Sequence, residues 1–176
     1  CQGTCEIAKE KYTYFGLDDC TMAMQLAGAG AKSCTYGCLG LGSCKKVCAF
    51  GAIEIVDGIA VIDKDKCVSC GKCVSTCPKH IIELLPVKKK VKVQCSSKDI
   101  GRNVNQVCSA GCIACKICEK NCPFDAIHVV DNLAVIDYDK CKACGICANK
   151  CPKGVLTGKK PAPPKTDAPK AAEKSE

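Results

Sequence analysis

Aromatic and large flexible side chains are scarce in this sequence. Its 176 residues include no Trp, two Met, three Phe and four Tyr. The length is enough for one or two small domains, and a core built only from ordinary apolar side chains would be thin. Another kind of interaction therefore has to stabilise the fold.

Long apolar runs are missing as well. No stretch approaches the roughly 18 consecutive apolar residues of a membrane helix, so we expect no membrane span in this chain. The sequence begins with Cys1 instead of Met. We expect a processed or excised start, with any membrane anchor or targeting segment upstream.

Cysteine is the abundant residue, with 21 copies. Disulfide frameworks scatter their cysteines along a chain, whereas metal ligands recur in tight, repeated groups. The cysteines here are grouped and odd in number, which favours metal ligands. Thiolate-bound metal clusters survive in reducing surroundings, and this predicts a cytoplasm-facing setting.

The sequence contains an internal duplication. The segment 48–67 matches the segment 122–141, at an offset of 74 residues. In the first copy, apolar runs flank Asp57-Gly58, and in the second they flank Asp131-Asn132, so each copy predicts a β-hairpin. The cysteine-rich stretches that follow leave room for a loop and a turn or two of helix, stopped by proline. The predicted fold class is α+β.

The duplication also predicts the boundaries. We expect a helical preface at 1–33, a first unit at 34–94 and a second unit at 95–157. The preface should contain a helix from about Asp19 to Ala27, capped by Asp18 and ended by Gly28. The Lys/Pro/Ala-rich tail at 158–176 cannot bury apolar surface and is predicted to be disordered.

The second unit contains two complete Cys-x2-Cys-x2-Cys-x3-Cys-Pro runs, which are typical of bacterial ferredoxins. In such runs the first three cysteines bind one cubane, and the fourth binds the neighbouring one. This crossed rule assigns one [4Fe–4S] cluster to Cys112, Cys115, Cys118 and Cys151, and the other to Cys122, Cys141, Cys144 and Cys147. Structural zinc is the alternative, but zinc usually takes two separated Cys-x2-Cys pairs.

In the first unit, one cluster site repeats this pattern and the other departs from it. The regular site is assigned to Cys48, Cys67, Cys70 and Cys73, although Ala49 replaces the expected proline. In the other site, Leu41 occupies the position of Cys115, which leaves three obvious ligands, Cys38, Cys44 and Cys77. We favour Cys34 as the fourth ligand. Three alternatives remain for this site: a [3Fe–4S] cluster on three cysteines, a different fourth ligand, or no cluster at all.

These motifs predict two tandem bacterial-type 2[4Fe–4S] ferredoxin-like units with about four [4Fe–4S] clusters, one of which could be [3Fe–4S]. A cubane with four thiolates carries about −2 when oxidised, so four of them offset the formal charge of +8. We therefore expect no nucleic-acid partner. Five cysteines are not assigned to any of these clusters: Cys1, Cys5, Cys20, Cys95 and Cys108. They could bind a further cluster or be buried free thiols.

The lysine-rich stretch at 87–93 links the two units. It is interpreted as a solvated face, with a docking patch for an acidic redox partner as the alternative. The sequence shows no Gly-rich nucleotide loop, and we expect no catalytic site in this chain. Electron transfer is the predicted role.

These residues resemble the ferredoxin-like region of the B subunit of Rnf complexes, the membrane-bound ferredoxin:NAD oxidoreductases that translocate Na⁺ or H⁺. The likeness spans roughly residues 1–157. It rests on the Cys-Pro-Phe-Asp-Ala-Ile-His hairpin entry, on the segment 33–44 and on the preface 1–34. The amino-terminal membrane helix and the single-cluster module of that family are missing from this sequence.

The resemblance implies an electron-transfer subunit of an oxidoreductase and translocase complex. It would accept electrons from reduced ferredoxin and pass them through a chain of clusters. Its partners would be the other subunits of a membrane redox complex, and it would lie peripherally at the cytoplasmic face of the cell membrane. A free-standing soluble polyferredoxin is the alternative.

Overall fold

The computed structural model describes residues 1–26 and 28–158. Two small antiparallel sheets and short helices alternate along these residues, which confirms the α+β class. The elements are α1 (Cys20–Gln25), α2 (Ser43–Lys46), β1 (Ile53–Val56), β2 (Ile59–Ile62), α3 (Lys72–Thr76), α4 (Gly101–Val107), α5 (Ile117–Lys120), β3 (Ile127–Val130), β4 (Leu133–Ile136) and α6 (Ile146–Lys150). The tail expected to be disordered lies, from residue 159 onward, outside the described residues, as does Ala27.

Both predicted hairpins are present. Strand β1 pairs with β2, and β3 pairs with β4, each over four residue pairs. The turns between them place both central residues in the left-handed region, with φ of 48° and 73° at Asp57 and Gly58 and 47° and 61° at Asp131 and Asn132. A two-residue turn of this kind matches the twist of the strands on either side. The Asp-Gly and Asp-Asn pairs therefore fix both registers.

Helix α1 begins one residue later than the sequence suggested and is shorter. Its N-cap is Asp19, because the Asp19 Oδ1 atom accepts the N–H groups of Thr21 and Met22 at 2.8 and 3.0 Å. The bond from Met22 is the main reason that the pKa of the Asp19 carboxyl is lowered. The expected cap at Asp18 was wrong, since it is Asp19, with an extended backbone at φ of −139° and ψ of 120°, whose side chain accepts from these donors.

The largest group of buried apolar side chains lies in the second unit. It surrounds the hairpin β3–β4 and helix α6. Val91, from the segment before the unit, and Val155 and Leu156, at the unit's C-terminal end, complete it. Val93 and Leu156 form an isolated antiparallel bridge that closes the unit. Because the two ends of the unit meet in its core, the second unit is closed by packing as well as by its cysteines.

The N-terminal segment contacts both units. Ala8 forms an antiparallel bridge with Cys108, and Glu10 forms one with Lys32. The Cys5 N–H group also donates to the carbonyl oxygen of Asp57, in the first hairpin turn, at 2.9 Å. Among the helices of the described ranges, none has the length and apolar character needed to cross a membrane.

Candidate metal centres

Four loops precede short helices and have the same backbone conformation. In the three regular ferredoxin runs, two residues have left-handed backbone. One comes directly before the second cysteine, at Ser69, Ala114 and Ala143, and the other directly before the helix, at Gly71, Lys116 and Gly145. A left-handed residue next to ordinary backbone turns successive N–H groups toward one concave side, which favours bound anions. The loops therefore suit an iron–sulfur core, whose sulfides and thiolates are negative.

Site I is the regular site of the first unit and consists of Cys48, Cys67, Cys70 and Cys73. All four line one cavity, beneath the start of helix α3. Burial raises the pKa of the Cys73 thiol, and the nearby Cys67 and Cys70 thiols raise it further. The four cysteines grouped by the crossed rule thus lie around a common space.

Two such sites lie in the second unit. Site III consists of Cys112, Cys115, Cys118 and Cys151, and site IV of Cys122, Cys141, Cys144 and Cys147. Each set lines its own cavity, so in each the first three cysteines of one run meet the fourth cysteine of the other. The two cavities flank the hairpin β3–β4, whose Ala134 and Ile136 contribute to their walls.

Burial raises the pKa of some of the thiols in these sites. Burial, followed by the neighbouring thiols Cys112, Cys115 and Cys151, raises the pKa of Cys118 to about 11. Burial also raises the pKa of Cys147. Iron binds the thiolate form, so assembly of a cluster must displace protons from groups that otherwise keep them at neutral pH. The donor set fits an iron–sulfur cluster, because soft thiolates select iron–sulfur cores and the crowded negative charge needs iron to offset it.

Site II is the irregular site, and the structure gives it a fourth cysteine that the sequence did not reveal. Burial raises the pKa of Cys44 to about 11, and the thiols that raise it further are Cys38, Cys20 and Cys77. These four cysteines line one wall of a larger cavity between the two units. Cys20 is positioned at the start of α1, where its N–H group donates to the Ser43 Oγ atom at 2.7 Å.

The expected fourth ligand of site II, Cys34, lies elsewhere. Its neighbouring thiols are Cys95 and Cys108, and it lines a different cavity. The contacts therefore favour Cys20 over Cys34 for site II. Although Leu41 replaces a cysteine, the loop keeps the cluster-loop backbone, because Gly40 and Gly42 are left-handed at φ of 75° and 77°. These are the repeat positions of Ala114 and Lys116, and the two glycines are the sequence signal that this loop keeps the same conformation.

The cysteines are unpaired: all 21 thiols are free. Within the described residues, no three His, Cys, Asp or Glu side chains lie close enough together to bind a single metal ion. A cubane takes its four thiolates on four separate iron atoms, so it fits cysteines that surround a cavity at wider spacing.

Comparison with known proteins agrees with this donor set. Residues 111–161 match the 4Fe-4S dicluster domain family, and residues 60–83 match the 4Fe-4S binding domain family. A ferredoxin-like protein from the vnf region of Azotobacter chroococcum is 39% identical, over 32% of this chain and 85% of its own length. The chain therefore carries multiple [4Fe–4S] clusters.

A more extensive likeness is to larger proteins. The B subunit of the Na⁺-translocating ferredoxin:NAD⁺ oxidoreductase complex of Acetobacterium woodii is 50% identical over 159 residues, which are 90% of this chain and 47% of that protein. The B subunit of the proton-translocating ferredoxin:NAD⁺ oxidoreductase complex of Clostridium ljungdahlii is 47% identical over 80% of this chain and 50% of its own length. The chain spans about half the length of these relatives. It belongs to the [4Fe–4S] ferredoxin family, and about half of its aligned residues are identical to those of the B subunits of Rnf-type complexes.

Proposed function

We propose that this chain is the cluster-carrying part of an electron-transfer subunit, which accepts electrons from reduced ferredoxin and passes them to other subunits of a membrane-associated Rnf-type complex. The observation that carries the proposal is the set of cavities, each lined by four cysteines, in a chain that is about half identical to B subunits of such complexes. The ferredoxin donor and a position at the cytoplasmic face of the membrane are parts of this proposal.

When bound, each [4Fe–4S] cluster supplies a one-electron redox centre. The chain's own contribution is to hold and tune these centres. The Ala126 N–H group donates to the Cys122 Sγ atom at 3.4 Å, and such bonds stabilise the more negative, reduced state. Burial of Cys118 and Cys147 has the opposite effect, because it makes added negative charge more costly. Each site's potential depends on the balance of these two effects.

None of this requires a nucleophile or a general base in the chain. Electron transfer between bound clusters would break no bond, and the thiols of the chain would release protons only when the clusters assemble. This is why the chain's polar side chains mainly shape turns. One example is Asp137, whose Oδ1 atom accepts the Asp139 N–H group at 2.9 Å in the turn that leads to Cys141.

The test is anaerobic stopped-flow mixing of the iron-loaded protein with reduced ferredoxin, and separately with NADH. We expect ferredoxin to bleach the cluster absorbance and NADH alone to leave it unchanged. Reduction by NADH, with none by ferredoxin, would overturn the proposed direction. Affinity capture with the other subunits of the complex tests the assembly. A free-standing polyferredoxin would exchange electrons with ferredoxin but would bind none of these subunits.

A further inference from the structure

Sites I to IV account for all but five of the cysteines. Four of these five, all except Cys5, lie around one cavity. Cys1, Cys34, Cys95 and Cys108 line a single cavity where the N-terminal segment contacts both units. A Cβ atom built on Gly3 would lie 3.5 Å from the Cys1 Sγ atom and 3.9 Å from the Cys108 Sγ atom, so both sulfurs face the same small space. Cys34 is close enough to Cys95 and Cys108 that both raise the pKa of its thiol, after the larger effect of burial.

Backbone N–H groups are aimed at the sulfurs in this cavity. Gly3 donates to the Cys1 Sγ atom at 3.3 Å, and Cys112 donates to the Cys95 Sγ atom at 3.4 Å. The backbone N–H groups of Tyr36 and Gly37 favour the thiolate form of Cys34, because both oppose the rise in its pKa that burial causes. A neutral thiol is a weak acceptor, whereas an iron-bound thiolate accepts such bonds strongly. The backbone is therefore arranged for thiolates.

A buried cation lines the same cavity. Lys32 is 4% exposed, and its Nζ atom donates to the carbonyl oxygens of Gly3 and Gly58, both at 2.7 Å. Within the described part of the chain, no carboxylate forms an ion pair with Lys32. A buried charge is costly unless an opposite charge compensates it. A cubane bound by four thiolates, with a net charge of about −2, would supply that charge.

The cavity lies between two of the other sites. Cys1 and Cys95 also line the larger cavity that contains the cysteines of site II. Toward site III, the Cys95 Sγ atom accepts a hydrogen bond from the backbone N–H group of Cys112, which is one of the cysteines of that site. A redox centre here would be adjacent to one centre from each unit.

We propose that Cys1, Cys34, Cys95 and Cys108 bind a fifth [4Fe–4S] cluster, site V, with Lys32 as its buried counter-charge, and that this cluster passes electrons between the two units. It takes one electron from the reduced cluster of site II or site III and gives it to the oxidised cluster of the other. No bond is broken and no proton is transferred. Cys34 and Cys108 occupy equivalent repeat positions, so the duplication brings one cysteine from each unit to a shared site.

The first test compares iron and sulfide contents of anaerobically reconstituted variants with those of the unchanged protein. Cys34→Ala and Cys95→Ala should each remove one cluster, about four irons, or convert it to [3Fe–4S], as seen by electron paramagnetic resonance. The double variant should lose at most that one cluster, because both residues belong to one site. The combination of Cys34→Ala with Cys20→Ala should lose two clusters. Cys5→Ala is the matched control and should lose none.

Loss of two clusters in the Cys34 and Cys95 double variant would overturn the proposal, as would unchanged iron in both single variants. So would one equivalent of zinc that is lost in these variants while iron stays constant. These outcomes are distinct from failure of the proposed ferredoxin reaction, which concerns electron input and leaves the cluster count unchanged.

The second test keeps all cysteines and changes Lys32. Lys32→Met should shift the reduction potential of one cluster to more negative values, because the added electron loses a nearby positive charge, and Lys32→Arg should largely restore it. The measurement is a redox titration followed by electron paramagnetic resonance, with total iron as the check on folding. Potentials that stay unchanged in Lys32→Met protein with full iron content would show that Lys32 does not face a cluster.

Discussion

The two units share their cysteine spacing and their hairpins, but they differ in how well they are packed. Ile53 and Ile127 occupy equivalent positions, and both are 2% exposed. Their direct partners on the opposite strands differ, however, because Ile62 is 36% exposed while its counterpart Ile136 is 9% exposed. Helix α3 buries no residue, whereas α6 buries Cys147 and Ala148. Ligand spacing has thus stayed similar while packing has diverged, and the first unit depends more heavily on its metal.

Surface charge shows a second difference between the units. The Lys45 Nζ atom lies 2.6 Å from the Glu54 Oε2 atom, between α2 and β1. The equivalent positions in the second unit are Glu119 and His128, with Glu119 Oε1 at 3.9 Å from His128 Nδ1. The acidic and the basic residue have exchanged positions between the units, and they still face each other.

The largest expected effect follows from removal of iron. Chelation should abolish cooperative unfolding of the chain, because sites I to IV join segments that few apolar contacts hold together. Amide hydrogen exchange should show protection lost across β1–β2 first, with residual protection in β3–β4. Equal retention of both hairpins after complete iron removal would contradict the metal dependence, and earlier loss in β3–β4 would reverse the comparison.

The next effect concerns site II, where the first unit departs from the second. Cys20→Ala should remove its cluster or convert it to [3Fe–4S], and adding Leu41→Cys should restore the [4Fe–4S] cluster by recreating the ferredoxin run of site III. Iron analysis and electron paramagnetic resonance provide the measurement. Leu41→Cys alone is the control and should leave the iron content unchanged. If Cys20→Ala kept every cluster, the assignment of Cys20 would have to be abandoned.

A smaller effect comes from the matched isoleucines. Ile136→Ala should lower the free energy of unfolding by about 2–4 kcal/mol, as is usual for a buried isoleucine. Ile62→Ala should cost about 1 kcal/mol or less, because its side chain is already partly in water. Thermal melts of the iron-loaded variants, recorded under anaerobic conditions, give the comparison. Similar costs at both positions would show that the iron-loaded units are equally well packed.

The smallest effect is that of the surface ion pair. Lys45→Ala should cost about 0.2–1 kcal/mol at low salt, since half-exposed pairs contribute little and are screened. The loss should shrink in 1 M salt. A double-mutant cycle with Glu54→Ala isolates the pair from other changes, and a coupling that salt does not alter would show a role other than charge.

Much of this arrangement could be predicted from the sequence, because local patterns determine it. The hairpin turns follow from Asp57-Gly58 and Asp131-Asn132, and sites I, III and IV follow from cysteine spacing within one unit. Sites II and V could not be predicted in this way. Their ligands come from segments far apart in the chain, and only tertiary contacts bring Cys20 to Cys44 or Cys34 to Cys95. The position of α1 depended on which of two adjacent aspartates reaches the first N–H groups.

The contacts of the N-terminal segment have a consequence for the time course of biosynthesis. Gln2 finds its hydrogen-bond partner Gln94 at a sequence separation of 92 residues, and Ala8 pairs with Cys108. On a ribosome that adds about 5–20 residues per second, these N-terminal residues emerge several seconds before their partners exist. During that interval Cys1 and Cys34 are exposed to oxidants and to stray metal ions. A cell that makes this chain therefore needs a reducing environment or a protective factor during synthesis, and the contacts between the units should be among the last to form.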